Sequence, residues 1–465
     1  MNADKETWSQ TLAEFVLEAF HASIPDDVLE RAALQVLDSI ACAAGAQGAE
    51  PVEIVHRVIR GSHPQATLLF RGEQASLMDT VLANGTAVRY LDANDVFIGT
   101  GPGGHPSDNI PVSLAVGEMH GSSGSDVLKA VALSYELVTR LRNALYDNTP
   151  HGKRWDGVSL SATVCAVAAA LLMGCDRAQL ANAIGVGGAK GYALKEIRHG
   201  EISMLKASGN AIVARDGVLA ALLAMEGYTG SPAVFEGEWG IIRTLGGEPE
   251  ARILEELCAP LQDWSIRGIS VKPYPAIGTS QSAICGAVEI SRQDGFRFED
   301  VAQVVIRLPD TRYTQGYMKV SERMFPQSRE SADHSIPFLV ALALREGTVG
   351  TEHFDARLWE EPTMRAVTQR TTIQPDAGLA GQAESSFPAV VEVEMSDGRR
   401  LVHEVIATPG SPAQPYGRDE ICEKFLRLQR TGLSSSSVEQ IADACTDLHQ
   451  APDLTRLMAL VGKSG

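Results

Sequence analysis

Residues 94–111 read NDVFIGTGPGGHPSDNIP. Gly99, Gly101 and Gly104 fit G-x-G-x-x-G, the spacing of a dinucleotide-binding loop. On that reading the chain is a doubly wound α/β redox enzyme. The fingerprint requires a buried strand before the loop and a helix opening within it, so that the pyrophosphate meets free N–H groups. Here residues 81–95, VLANGTAVRYLDAND, read helical and then polar. His105 and Pro106 follow the third glycine at once, and the next helical pattern opens only between Ser107 and Pro111. An acid does stand near the ribose distance, at Asp126, but acids are common. No Walker lysine follows either. The glycines read better as slack between two helices, and no cofactor is expected.

Polar groups crowd this loop. Arg89, Asp92, Asn94, Asp95, His105, Ser107, Asp108 and Asn109 all fall between positions 89 and 109. Such density around a mobile segment points to function.

On both sides the chain repeats helical patterns. Residues 23–44, SIPDDVLERAALQVLDSIACAA, place Leu29, Ala33, Val36, Leu37 and Ile40 at helical spacing. Residues 74–95, 108–121, 124–145, 175–188 and 206–230 behave alike, the last with Gly227 as a C-terminal stop. Residues 158–175, VSLSATVCAVAAALLMGC, are the most apolar run, and Ser159, Ser161 and Thr163 favour a buried core helix over a membrane span.

The pattern changes after about Trp264. Residues 301–310, VAQVVIRLPD, read as a strand, and 390–405, VVEVEMSDGRRLVHEV, as a hairpin turning at Asp397–Gly398. Helical pieces at 279–293 and 335–347 separate them, giving an α+β module. Helices return at 417–430 and 437–450, with Ser436 and Glu439 spaced as a capping box. Gly- and Pro-rich joints near 265–280 and 407–417 suit a hinge.

At 465 residues, two domains are the natural division. The net charge of −18 repels phosphate backbones, so nucleic acid is not an expected partner. It does not exclude an anionic substrate held by a local knot of Arg and Lys. The N-terminus lacks a basic segment before an apolar core, so a cytoplasmic protein with no membrane association is expected. The seven cysteines form no C-x-x-C pair and sit mostly in apolar helical contexts, as reduced buried thiols do. No metal or iron–sulfur centre is expected from them.

NGTAVRYLDANDVF at 84–97 and GHPSDNIPVSLAVGE at 104–118 resemble the signature segment of the MmgE/PrpD family, which includes 2-methylcitrate dehydratases. RWDG at 154–157, RHGEISMLK at 198–206, GYTGSPAVFEG at 227–237, VKPYPAIGTSQSA at 271–283, RESADHSIPF at 329–338 and PYGRDEICEKF at 415–425 extend the resemblance in order. It implies a mostly α fold. A large all-helical domain, residues 1–268 and 409–465, would be built from both chain ends, with a smaller α/β lid, residues 269–408, inserted between them. It also implies a homodimer and a small polycarboxylate substrate. Dehydration of 2-methylcitrate leads the implied activities, with iminodisuccinate epimerisation and cis-aconitate decarboxylation as alternatives. A nicotinamide-dependent oxidoreductase is the distant one.

Taking water from a β-hydroxy polycarboxylate needs a base for the C–H proton, an acid for the departing hydroxyl, and cations for the carboxylates. Lys206 stands between a polar turn and an apolar helix, where a lysine is either a snorkelling surface group or a usable amine. The resemblance implies a pocket lysine there and at Lys272. It implies acid/base work for His105, the one histidine of the glycine loop, and a positioning carboxylate at Asp92. Asp95 is less direct, and His151 stands in a segment the family brings to the pocket. Arg89 and Arg198 offer guanidinium forks for carboxylates, although Arg198 has Glu196 and Glu201 as alternative partners. Gln281 is retained from the family pattern. Asp333–His334 reads either as a helix N-terminus device or as a catalytic pair. Two departures bear on substrate: Val96 stands where the family usually has Thr, and Thr279 where the methylcitrate branch often has His.

Overall fold

Small residues at helix contacts let this alanine- and glycine-rich chain pack helices closely. The computed structural model describes residues 6–98, 104–147, 149–151, 154–382 and 387–463; Gly99 and Gly101 of the glycine loop lie outside them. Helix α1 (Trp8–His21) opens on a Thr7–Gln10 capping box, and α2 (Asp26–Gly45), α3 (Glu50–Val58) and α4 (Leu77–Tyr90) follow. A short antiparallel pair, β1 (Ala66–Thr67) and β2 (Gln74–Ala75), precedes α4. Then come α5 (Ile110–His120), α6 (Gly124–Leu141), α7 (Ser161–Leu172), α8 (Arg177–Lys190) and α9 (Leu205–Met225).

Glycine sets the closest contacts. A Cβ on Gly217 of α9 would lie 2.6 Å from the Ala162 carbonyl oxygen of α7, and one on Gly85 of α4 would lie 2.8 Å from Ala211 Cβ of α9. Real Cβ contacts are not that short, so α9 is seated against α4 and α7 by residues without side chains. Every residue of α7 is buried, as its apolar run predicts. Among the described residues α9 is the one helix long and apolar enough to cross a membrane, yet it packs on α4, α7 and α8.

One hydrophobic cluster runs from Leu12 to Ile269 and takes in Ile421 to Val461. A second spans Ala276 to Met395. Its four-stranded sheet has the order β4-β3-β5-β6, from β3 (Val301–Pro309), β4 (Thr371–Asp376), β5 (Ala389–Met395) and β6 (Arg400–Val405). β3 and β4 are parallel; the other pairs are antiparallel. The expected hairpin is β5–β6, with Val391 opposite His403 and Gly398 at φ 85°. β4 is an addition to the sequence reading: it carries Pro375, and an edge strand tolerates a missing N–H. Helices Gln281–Ser291 and Ile336–Glu346 pack together, the first also against β5 and β6. One helix start is corrected: Ser434, not Ser436, caps Ser435–Thr446, because its hydroxyl reaches the Ser437 N–H.

The chain crosses between the clusters at two adjoining places. The Val271 N–H donates to the Gly410 carbonyl at 2.8 Å, and Ser270 forms a bridge with Val96. Helix α4, not a strand, leads into the glycine loop, and α5 opens only at Ile110. The loop therefore lies at the joint between a helical layer and the sheet-bearing cluster.

Candidate active site

Asp92 follows the end of α4 with φ +53°, a left-handed conformation that Asp adopts more readily than most residues. The turn sends its carboxylate into buried space, where three cations meet it. Arg89 Nη1 lies 2.8 Å and Lys272 Nζ 2.5 Å from Oδ1; Lys206 Nζ lies 3.1 Å from Oδ2. These side chains are no more than 2% exposed. Burial alone would raise the Asp92 pKa, but Arg89, Lys206 and Lys272 outweigh it and hold the carboxyl well below its usual range.

Lys206, in the first turn of α9, also touches Asp333, with Nζ 3.0 Å from each oxygen. Asp333 accepts a further bond from Arg329 Nη1 at 2.8 Å and lies 2.5 Å from His334 Nδ1. Burial opposes its ionisation, yet Lys206, His334 and Arg329 bring it down to about 2. Arg329 is itself stacked 4.2 Å over the Tyr90 ring. Burial lowers Lys272 to about 8 against the pull of Asp92, and lowers Lys206 against Asp333 and Asp92.

Two histidines flank Asp92. His334 Nε2 is 3.6 Å from Oδ2, and His105 Nε2 is 3.9 Å from Oδ1. Burial, reinforced by Lys206, pushes His334 down to about 4; burial with Arg89 and Lys272 holds His105 well below its ordinary value. Both rings are neutral near pH 7. His105 Nδ1 lies 2.5 Å from the Asp95 carbonyl, an acceptor only, so the ring proton sits on Nδ1 and Nε2 keeps its lone pair. A proton taken there would face the Asp92 carboxylate.

Asp95 lies on the far side of this turn. Its carboxylate accepts from Ser107 Oγ at 2.6 Å and from the Ser107 N–H. Burial raises it to about 7, and raises Asp108 to about 6 against Arg89. Asn94 Nδ2 ties Asp108 to Ser107 at 2.9 and 3.0 Å. The polar residues of the loop thus form one buried network.

Arg89, Asp92, His105, Lys206 and Lys272 are brought together, with Asp95 one step behind. Arg198 and Gln281 stand at the edge of this group: Arg198 helps to lower the Asp108 pKa, and Gln281 lines a small cavity with Lys272. Arg198 Nε bonds Asp156 at 2.8 Å rather than Glu196 or Glu201. The His151 N–H donates to the Leu245 carbonyl, and its ring lies where a Gly246 Cβ would point, 2.7 Å away. Gln281 spends its amide on Tyr274, Ala276 and Ile277, bracing the turn after Lys272. Thr279 bonds the Tyr313 hydroxyl at 3.0 Å. Asp333 does not cap the start of Ile336–Glu346: Ser335 takes that role, leaving the Asp333 carboxylate to Lys206. Arg329 was not singled out from sequence, although its i, i+4 spacing to Asp333 is the available signal.

The ligand-type atoms of Asp92, Asp333 and His334 lie within 4.8 Å of one another. The Lys206 ammonium already sits between the two carboxylates, where a metal cation would meet its charge. Arg89, Lys206, Lys272 and Arg329 gather around Asp92 and Asp333, so the site holds a local knot of cations. It suits a small anion with several carboxylates and places a neutral imidazole beside them.

The family models for the MmgE/PrpD N-terminal and C-terminal domains match residues 10–254 and 274–449. A cis-aconitate decarboxylase-like protein, oryM, of Aspergillus oryzae is 23% identical over 97% of this chain and 96% of its own. The mitochondrial 2-methylcitrate dehydratase of Yarrowia lipolytica is 24% identical over 90% and 83%. The cis-aconitate decarboxylase of Mus musculus is 22% identical over 94% and 90%. The chain belongs to the MmgE/PrpD family.

Proposed function

We propose that the protein is a cofactor-independent lyase that dehydrates a small β-hydroxy polycarboxylate similar to 2-methylcitrate. The observation that carries this reading is the lone pair of His105 Nε2 beside a cluster of buried cations. His105 takes the C–H proton next to a substrate carboxylate. The electron pair left on carbon forms the double bond, and the C–O bond breaks. The hydroxyl leaves as water with a proton from Lys272, an amine that burial lowers to about 8. Lys206 and Arg89 hold carboxylates.

Decarboxylation is the second reading, favoured by the names of the relatives that align over most of the chain. It needs the same clamp and a proton donor, but no base. Epimerisation would use His105 and Lys272 on opposite faces of one carbon. A second copy of the chain is the partner this reading carries; Leu205, Ile212 and Leu219, exposed along one face of α9, support it.

The test offers 2-methylcitrate and cis-aconitate to the purified protein in deuterated buffer. Growth of an enoate absorbance from 2-methylcitrate supports the dehydratase. Carbon dioxide from cis-aconitate moves the assignment to the decarboxylase, and deuterium uptake without either product moves it to the epimerase. A folded sample inert to both acids removes the substrate assignment.

A further inference from the structure

We propose that Lys424 and Asp38 form a buried clamp that fixes the Asp92 turn and so aims its carboxylate at the two site lysines. Lys424 lies on the returning helix Arg418–Leu428, which packs against α2, the helix that carries Asp38. Their side chains are 1% exposed. Lys424 Nζ is 2.5 Å from Asp38 Oδ1 and donates to the Ala93 carbonyl at 2.6 Å. Ala93 directly follows Asp92, the residue held at φ +53°.

A left-handed non-glycine residue is strained and persists when its surroundings over-determine it. The Asp92 N–H bond to the Arg89 carbonyl fixes one side of the turn, at 3.2 Å. Lys424 fixes the other. The pair is a costly way to fill space: Asp38 Oδ2 is buried without a hydrogen-bond partner, and burial raises the Asp38 pKa despite Lys424. An apolar pair of the same volume would be as stable or more so, but it would have no N–H for Ala93.

The kinetic consequence of the clamp rests on the proposed carboxylate chemistry; its effect on Lys272 does not. Lys272 faces Asp92 and Arg89 from the α4 end, Lys206 from α9, His105 from the loop, and Asp38 from α2. Of these, Asp92 lies closest and keeps Lys272 from falling further. If Asp92 swings away, the lysine titrates lower.

The experiment follows the 13Cε signal of Lys272, assigned through Lys272→Arg, against pH in wild type and Lys424→Met. Loss of a nearby positive charge alone would leave the Lys272 midpoint unchanged or raise it. Loss of the clamp lowers it, by about one pH unit. A midpoint that stays or rises overturns the proposal, even if Lys424→Met melts earlier. Because Asp38 without Lys424 takes up a proton and by itself lowers Lys272, the deciding comparison is Asp38→Asn against Asp38→Asn/Lys424→Met, which carries no carboxylate at position 38. Calorimetric binding of tricarballylate is measured in parallel and should weaken in the Met variants. A wild type that binds no tricarballylate counts against the proposed function, while the Lys272 midpoint still decides the clamp.

Discussion

Lys206 Nζ stands 3.0 Å from both oxygens of Asp333, although 127 positions separate the two residues. Lys206 belongs to the helical layer and Asp333 to the sheet-bearing cluster, so the ion pair joins the two parts of the fold at the site. Asp333→Asn keeps the shape and removes the charge. The Asp333 pKa of about 2, against 3.8 when unperturbed, means that the ionised carboxylate stabilises the fold above pH 3.8. That contribution fades as pH falls through 2. Urea denaturation should therefore find the variant weaker by about 2 kcal/mol at pH 6 and equal to wild type near pH 2. An equal loss at both pH values would show that charge is not the cause.

His105 acts through one lone pair and carries little of the fold. His105→Asn should lower kcat on the active substrate by about 10²–10⁴-fold. Its stability should change by about 1 kcal/mol, the worth of the bond to Asp95. Because burial keeps the ring neutral, wild-type kcat/KM should stay flat through pH 6.5 instead of falling there. An acid limb centred at 6.5 that disappears in His105→Asn would show an exposed, ordinary histidine instead.

The site residues legible in the sequence are those whose neighbours also carry information. Asp92, His105, Lys206 and Lys272 sit inside long motifs, and the structure gathers them. Asp333 was ambiguous because SADHS has the composition of a helix start, and Ser335 does cap one. Arg198 and Gln281 carry suitable groups that local partners occupy, and sequence does not reveal such competition. Lys424 went unread because a lysine in ICEKFLRL suggests solvent. Its position contradicted that: Ile421, Phe425 and Leu428 are buried on the face it shares. The helical layer was legible from periodicity. β4 was not, because six residues with a proline carry almost no pattern.

Asp95 should make the protein less stable as pH rises. Its folded pKa of about 7 lies above 3.8, so the protonated form is favoured in the fold. The stabilisation is complete below pH 3.8 and lost by about pH 7. Asp95→Asn mimics the protonated acid at every pH. Its melting temperature should match wild type near pH 3 and exceed it at pH 8, where ionising the buried carboxylate costs wild type about 4 kcal/mol. A variant less stable than wild type at pH 8 would show that Ser107 favours the ionised form more than burial opposes it.

Val96 tests how the site selects its substrate. It is 6% exposed, bridges to Ser270, and lines a small cavity with Lys272, Ile98 and Phe387. A Gly278 Cβ would come within 3.0 Å of its Cγ2, so the wall around it is tight. Val96→Thr keeps the volume and adds a hydroxyl beside the amine that the mechanism assigns to the departing water. With no substrate, a buried hydroxyl costs about 1 kcal/mol or more, and the variant should melt slightly earlier. With substrate, it offers a partner to a hydroxyl-bearing acid and nothing to an unsaturated one. The ratio of kcat/KM for 2-methylcitrate over cis-aconitate should therefore rise by about tenfold, the effect of one well-placed hydrogen bond. An unchanged ratio would move substrate selection away from position 96 and toward the groups that hold the carboxylates.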